Sequence, residues 1–106
     1  LTDEYLEYIY RETYERLQNN PEPEIGFDTP LFKRRDEKFC YKGNIYTGGE
    51  INYLGIGMYE AWKGSSLEEA QSITFWWKYT MYGQSPSVGT YEWLQKWYYK
   101  YNEMDQ

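Results

Sequence analysis

Aromatic side chains and glycines crowd the stretch from Gly43 to Tyr101, which holds all five tryptophans and nine of the fourteen tyrosines. Each Phe, Tyr or Trp brings roughly 150–250 Å² of surface to bury, so such residues supply the apolar area that a small domain otherwise lacks. Their hydroxyl and indole N–H groups still need partners, which predicts a core with wet edges. The 106 residues leave room for one domain and not for a second independent core.

Helical spacing recurs along the chain. Thr2 or Asp3 can cap a first helix to about Asn19, with Leu6, Ile9, Tyr10, Thr13 and Leu17 on one stripe. Glu7 with Arg11, and Glu12 with Arg16, add i,i+4 pairs of favourable polarity. Asn19-Asn20-Pro21-Glu22-Pro23 ends this helix, and the path through Gly26 and Pro30 reads as irregular connection. Lys38–Lys42 and Ile45–Thr47 read as the arms of a short hairpin, with Gly43-Asn44 supplying positive φ. A hairpin of this size is marginal alone and must lean on helices.

A second helix is predicted from Glu50 to Lys63, with Ile51, Leu54, Met58 and Trp62 on one stripe. Gly55 and Gly57 within it each cost about 1 kcal/mol relative to alanine, which close approach of another backbone would offset. Ser66-Leu67-Glu68-Glu69 is a capping box opening a third helix to about Tyr82, with Gly83 as its stop. The stripe Leu67, Ala70, Ile73, Thr74, Trp77 and Met81 is expected to face inward. After the turn at Gln84–Ser87, Thr90 can cap a last helix to about Asn102. There Tyr91, Trp93, Leu94, Trp97, Tyr98 and Tyr101 form a broad arc opposite Glu92, Lys96, Tyr99 and Glu103, which places the helix in a core or an interface. The expected fold is mainly α, a small four-helix domain with a short β-hairpin near residues 38–47.

A net charge of −6 and a pI near 4.6 make nucleic acid an unexpected partner, because such binders carry a basic face that releases counterions from phosphate. The acidity is uneven. Asp3, Glu4, Glu7, Glu12, Glu15, Glu22 and Glu24 face only Arg11 and Arg16 in residues 1–24, whereas Lys33, Arg34, Arg35, Lys38 and Lys42 outnumber Asp36 and Glu37 in residues 31–49. Such asymmetry marks a binding surface, a solvated loop, or a basic stretch that pairs with an acidic helix of the same domain. No stretch reaches the roughly 20 apolar residues of a membrane-spanning helix, so a membrane is not an expected partner. Leu1 stands where an initiator methionine is expected, so the chain reads as one domain excised from a longer protein whose export signal would lie outside it.

The absence of histidine removes His-based triads and most zinc chemistry, and no Walker loop or complete dinucleotide fingerprint is present. Neither a cofactor nor a metal is expected. Cys40 has no partner for an intramolecular disulfide and is expected to be a small buried apolar residue, so folding should not depend on redox state. Gly55-Ile56-Gly57 lacks a third glycine and a preceding strand, and reads as helix packing.

Two sets of residues remain as site candidates. Glu50 follows Gly48-Gly49, which would let backbone and ligand approach closely, and Asn52 and Tyr53 offer hydrogen bonds beside it. In an aromatic pocket a lone carboxyl can serve as general acid or base, and Glu50, Asn52 and Tyr53 would then form the catalytic group. In a first helical turn the same carboxylate only complements the macrodipole, and this is the favoured reading. Glu60 shares the flank of an unbroken helix but would lie about 15 Å away, too far for a glycosidase pair. On the third helix, Phe75, Tyr79 and Tyr82 fall opposite the expected inward stripe, alongside Glu68 and Ser72. They would stack on a glycan or small molecule, or anchor a protein, unless a second layer buries them, which is the expectation given more weight.

The succession Gly48-Gly49-Glu50-Ile51-Asn52-Tyr53, followed by Tyr82-Gly83-Gln84-Ser85-Pro86-Ser87-Val88-Gly89-Thr90-Tyr91-Glu92-Trp93, resembles the variable C-terminal tips of bacterial RHS-type polymorphic toxins. The resemblance covers residues 43–102, a little over half of the chain. It implies an exported effector domain delivered into a competitor cell, and a protein inhibitor, or immunity protein, made by the producer. It transfers no catalytic residue. The missing histidine and the acidic balance depart from many nuclease tips and argue against nuclease activity. The alternative function is a non-catalytic binding module that presents aromatic residues to a protein or a glycan.

Overall fold

Helix α1 (Asp3–Asn19) opens on Thr2, whose hydroxyl accepts from the Tyr5 N–H at 3.1 Å. The expected stripe of Leu6, Ile9, Tyr10, Thr13 and Leu17 is the buried one. The computed structural model describes residues 1–19 and 28–104, so the expected stop at Asn20–Pro23 and the path through Gly26 lie outside the described residues. At Pro30 the chain forms a 3₁₀ turn (Pro30–Arg34), capped by the Thr29 hydroxyl and anchored by fully buried Leu31.

Strands β1 (Lys38–Tyr41) and β2 (Asn44–Thr47) pair antiparallel, with Cys40 opposite Ile45 and Tyr41 opposite Asn44. The two-residue turn is Lys42-Gly43, one position earlier than expected, and both residues have positive φ as a type I′ turn requires. Strand alternation turns Phe39 and Tyr41 inward and leaves Cys40 and Ile45 exposed. Cys40 is therefore a free, exposed thiol and not the buried apolar residue expected.

The helix expected from Glu50 starts two residues earlier and is interrupted once. Thr47 caps α2 (Gly48–Ile51) through a reciprocal capping box with Glu50. Asn52 breaks the regular ladder before α3 (Tyr53–Lys63), and the Gly55 N–H turns back to the Asn52 carbonyl at 3.0 Å, a 3₁₀-type closure. Gly64, at φ 89°, ends α3 in the left-handed conformation. Helix α4 (Leu67–Tyr82) carries the expected Ser66/Glu69 capping box and stops at Gly83, φ 67°. Helix α5 (Val88–Met104) starts before Thr90, because the Ser87 hydroxyl takes the capping role and accepts from the Thr90 N–H at 3.2 Å.

The described residues form a mainly α fold, four long helices with one short hairpin, as the spacing predicts. Its centre is the α3–α5 crossing. A Cβ on Gly57 would collide with the Leu94 carbonyl oxygen, so glycine sets how closely the two helices approach. Around this contact the arc of α5 is buried: Trp93, Leu94, Trp97, Tyr98 and Tyr101 join the core. Tyr10 of α1 packs on Trp97 with ring centroids 5.7 Å apart, and both hairpin strands lean on Trp93 through Tyr41 and Tyr46. Tyrosine hydroxyls at the edge of the core find partners within the fold: Tyr98 donates to the Ser65 carbonyl at 2.6 Å, Tyr41 to Asp3 at 2.7 Å and Tyr46 to Glu92 at 3.0 Å.

Helix α4 departs from expectation. Of its expected inward stripe only Ala70 and Thr74 are buried, while Ile73, Trp77 and Met81 are exposed. Both flanks of α4 are apolar, so periodicity cannot choose between them, and the helix meets the body along a narrow Ala70–Thr74 ridge. Of the set opposite, Phe75 is half-buried, whereas Tyr79 and Tyr82 are exposed, contrary to the expectation that a second layer covers them.

Candidate functional site

Glu50 lies where the hairpin hands over to α2 and is anchored on two sides. Its Oε1 accepts from the Thr47 N–H at 2.8 Å, closing the capping box, and its Oε2 accepts from the Ser87 hydroxyl at 2.7 Å. The second bond depends on Gly89, where a Cβ would collide with the Glu50 carboxylate. The preceding glycines serve backbone packing. A Cβ on Gly48 would strike the Arg34 carbonyl, and the Gly48 and Gly49 N–H groups donate to Glu37 and Arg35 carbonyls at 2.8 and 3.1 Å.

Asn52 is buried and its amide is used at both ends. Its Oδ1 accepts from the Thr29 N–H at 2.7 Å and the Thr29 hydroxyl at 2.5 Å, and its Nδ2 donates to Asp28 at 3.0 Å. This clasp ties the α2–α3 junction to the 3₁₀ turn and explains the helix interruption at that residue. Tyr53 is buried as well, and burial pushes its phenol up to about 12, with the nearby Tyr82, Asp28 and Tyr91 adding to the shift. Lys78 of α4 sits over its ring at 5.6 Å. Each of the three side chains is thus engaged by the fold, and Asn52 and Tyr53 are out of solvent. Glu60, on the far side of the Asn52 interruption, is buried with Ser65 at 2.7 Å and Lys63 at 3.7 Å.

Of the second candidate set, Tyr79 and Tyr82 lie on the surface and Phe75 is half-buried, and residues outside that set are exposed with them. Trp76, Trp77, Tyr79, Met81 and Tyr82 are each more than half exposed, and Ile73 nearly so. Phe75 and Tyr79 stack with planes 8° apart, and Trp76 stands edge-on to both. Between α4 and α5 these rings border an open groove of about 580 Å³ lined by Glu68, Gln71, Ser72, Phe75, Trp76 and Tyr91. Glu68, Gln71, Ser72 and Phe75 follow the i, i+3, i+4, i+7 spacing of one helix face, a signal readable in the sequence. The contribution of Tyr91 from α5 is not, since it depends on how α4 crosses that helix.

Three cations of the basic stretch find partners within it. Arg34 pairs with Glu37 at 2.6 Å, Arg35 lies over Phe32 at 5.2 Å and Lys42 over Tyr41 at 5.2 Å. Burial, and then the nearby charge of Lys42, hold the Lys96 ammonium below its ordinary value, although Asp3 opposes the shift. Lys96 lies over Tyr41, Trp93 and Trp97 at 5.1–5.9 Å, a structural seam between hairpin and α5. Among the described residues no cluster of three or more acidic, cysteine or histidine side chains could hold a metal ion, and no helix is long and apolar enough to cross a membrane. No protein-family model, curated protein or solved structure matches the chain.

Proposed function

We propose that the protein is a non-catalytic binding module that docks a protein partner on α4. One observation carries this reading: a 16-residue helix buries only Ala70 and Thr74 and leaves two tryptophans, two tyrosines and a methionine more than half exposed. Aromatic residues and methionine are enriched at the centres of protein interfaces, and the aromatic ones bury large area there at low cost in side-chain entropy. So many large apolar side chains exposed on one helix are uncommon on a surface that stays in water. Glu50, Asn52 and Tyr53 lend no support to a catalytic site, since the fold itself uses their polar groups or buries them. The test places a photo-crosslinking residue at position 77 or 82 of α4, or at exposed Tyr8 of α1 as control, in cells that express the chain. A discrete adduct from 77 and 82 but not from 8 is the expected result. Equal labelling at all three positions, or none, overturns the reading.

A second reading makes the chain an effector tip with an inhibitor as its partner. The segments that carry the resemblance to RHS-type toxin tips meet in space through the Glu50–Ser87 bond, which favours treating them as one motif. Expression of the chain should then arrest growth, and co-expression of the inhibitor should relieve it. Unimpaired growth at high expression counts against this reading.

A further inference from the structure

The groove between α4 and α5 adds a chemical requirement to the α4 surface, and the argument for it rests on the binding-module reading. Two of its walls are rings at right angles: Phe75 and Trp76 have centroids 5.6 Å apart and planes at 84°. Tyr91 brings a third ring from α5. Glu68 is the one charged residue in the lining, is exposed, and has no ion pair among the described residues, whereas its neighbour Glu69 is engaged by the Ser66 cap. Among the described residues no cation lines the groove. Lys63 is held by Glu60 and Lys78 lies over Tyr53. Ring faces carry negative potential, and a carboxylate beside them deepens it, so the lining attracts cations and repels anions. A bare ammonium would lose hydration against three rings, whereas a methylated one presents apolar methyl groups to them and keeps its charge.

We propose that this groove binds a methylated ammonium group, with Phe75, Trp76 and Tyr91 against its methyl groups and Glu68 as its counter-charge. Gln71 and Ser72 then face the polar remainder of the ligand. Such a group comes from a choline-type small molecule or from a methylated lysine of a protein partner, and the experiment separates the two.

The full chain is titrated with choline, with its neutral carbon isostere 3,3-dimethylbutan-1-ol, and with a short peptide carrying either trimethyllysine or unmodified lysine. The indole N–H resonance of exposed Trp76 reports binding by nuclear magnetic resonance. A methylated cation should shift it saturably and bind about tenfold more tightly than its uncharged or unmethylated counterpart. Tighter binding of the methylated peptide assigns the source to a protein, and tighter binding of choline to a small molecule. Glu68→Gln should weaken binding several-fold, and Trp76→Ala should abolish it without changing the melting temperature, observed in the latter case through the resonances of Gln71 and Ser72. Equal affinity for choline and the neutral isostere, or no saturable shift with any probe, overturns the cation site. Crosslinks from positions 77 and 82 would survive that failure, so the two proposals fall separately.

Discussion

The Glu50 carboxylate accepts a 2.7 Å hydrogen bond from the Ser87 hydroxyl, joining the first turn of α2 to the start of α5 across 37 residues of sequence. Each partner also caps its own helix, so one contact couples two helix starts. Ser87→Ala should cost about 1–2 kcal/mol through the lost cap and cross-link, and Glu50→Ala about 1–3 kcal/mol. Denaturant midpoints of the two single variants and the double variant should show a coupling of about 0.5–1.5 kcal/mol. If Glu50→Gln instead keeps full stability and loses a measured activity, the carboxylate is catalytic.

Gly57 should not tolerate a methyl group. Gly57→Ala gains about 1 kcal/mol of helix propensity but drives a Cβ into the Leu94 carbonyl, where both colliding groups belong to packed helices. The expected outcome is a net loss of about 1–3 kcal/mol by urea unfolding. A stabilised variant would show that α3 and α5 can separate freely.

Two tryptophans make a paired test of where the core lies. Trp97 is 3% exposed beneath Tyr10 and Trp93, whereas Trp77 is 51% exposed on α4. Trp97→Ala should cost about 3–5 kcal/mol. Trp77→Ala should fall within about 0.5 kcal/mol of the parent. Similar midpoint shifts for the two would reverse the assignment of α5 to the core and α4 to the surface.

Tyr53 predicts a loss of stability in alkali. The fold holds its phenol protonated up to about 12, while the unfolded chain releases that proton near 10, so the folded state binds more protons between these values. The contribution is complete below about pH 10 and disappears as pH rises toward 12, a decline of about 2 kcal/mol. Tyr53→Phe removes the titrating group and should flatten this part of the profile relative to the parent. Parallel alkaline profiles for parent and variant would show that Tyr53 ionises as freely in the fold as outside it.

The sequence by itself determined the features that depend on near neighbours. Ser66 with Glu69 and Gly83 delimit α4, and strand-forming residues around a glycine turn mark the hairpin between Lys38 and Thr47, although its support comes from Trp93 of α5. The breadth of the α5 arc likewise announced a helix for a core or an interface, and its burial decided for the core. Tertiary structure alone decided which face counted. Cys40 points outward because Tyr41 and Tyr46 lean on Trp93, and strand alternation then leaves Cys40 no other side. Asn52 interrupts a helix because Thr29 and Asp28, more than twenty residues earlier, take its amide. Helix α4 is apolar on both flanks, so its own residues hold no preference. It rests on the body through Ala70 and Thr74, and its two tryptophans and two tyrosines are exposed. Periodicity reports that a helix has an apolar face, but burial depends on what other segments have already filled.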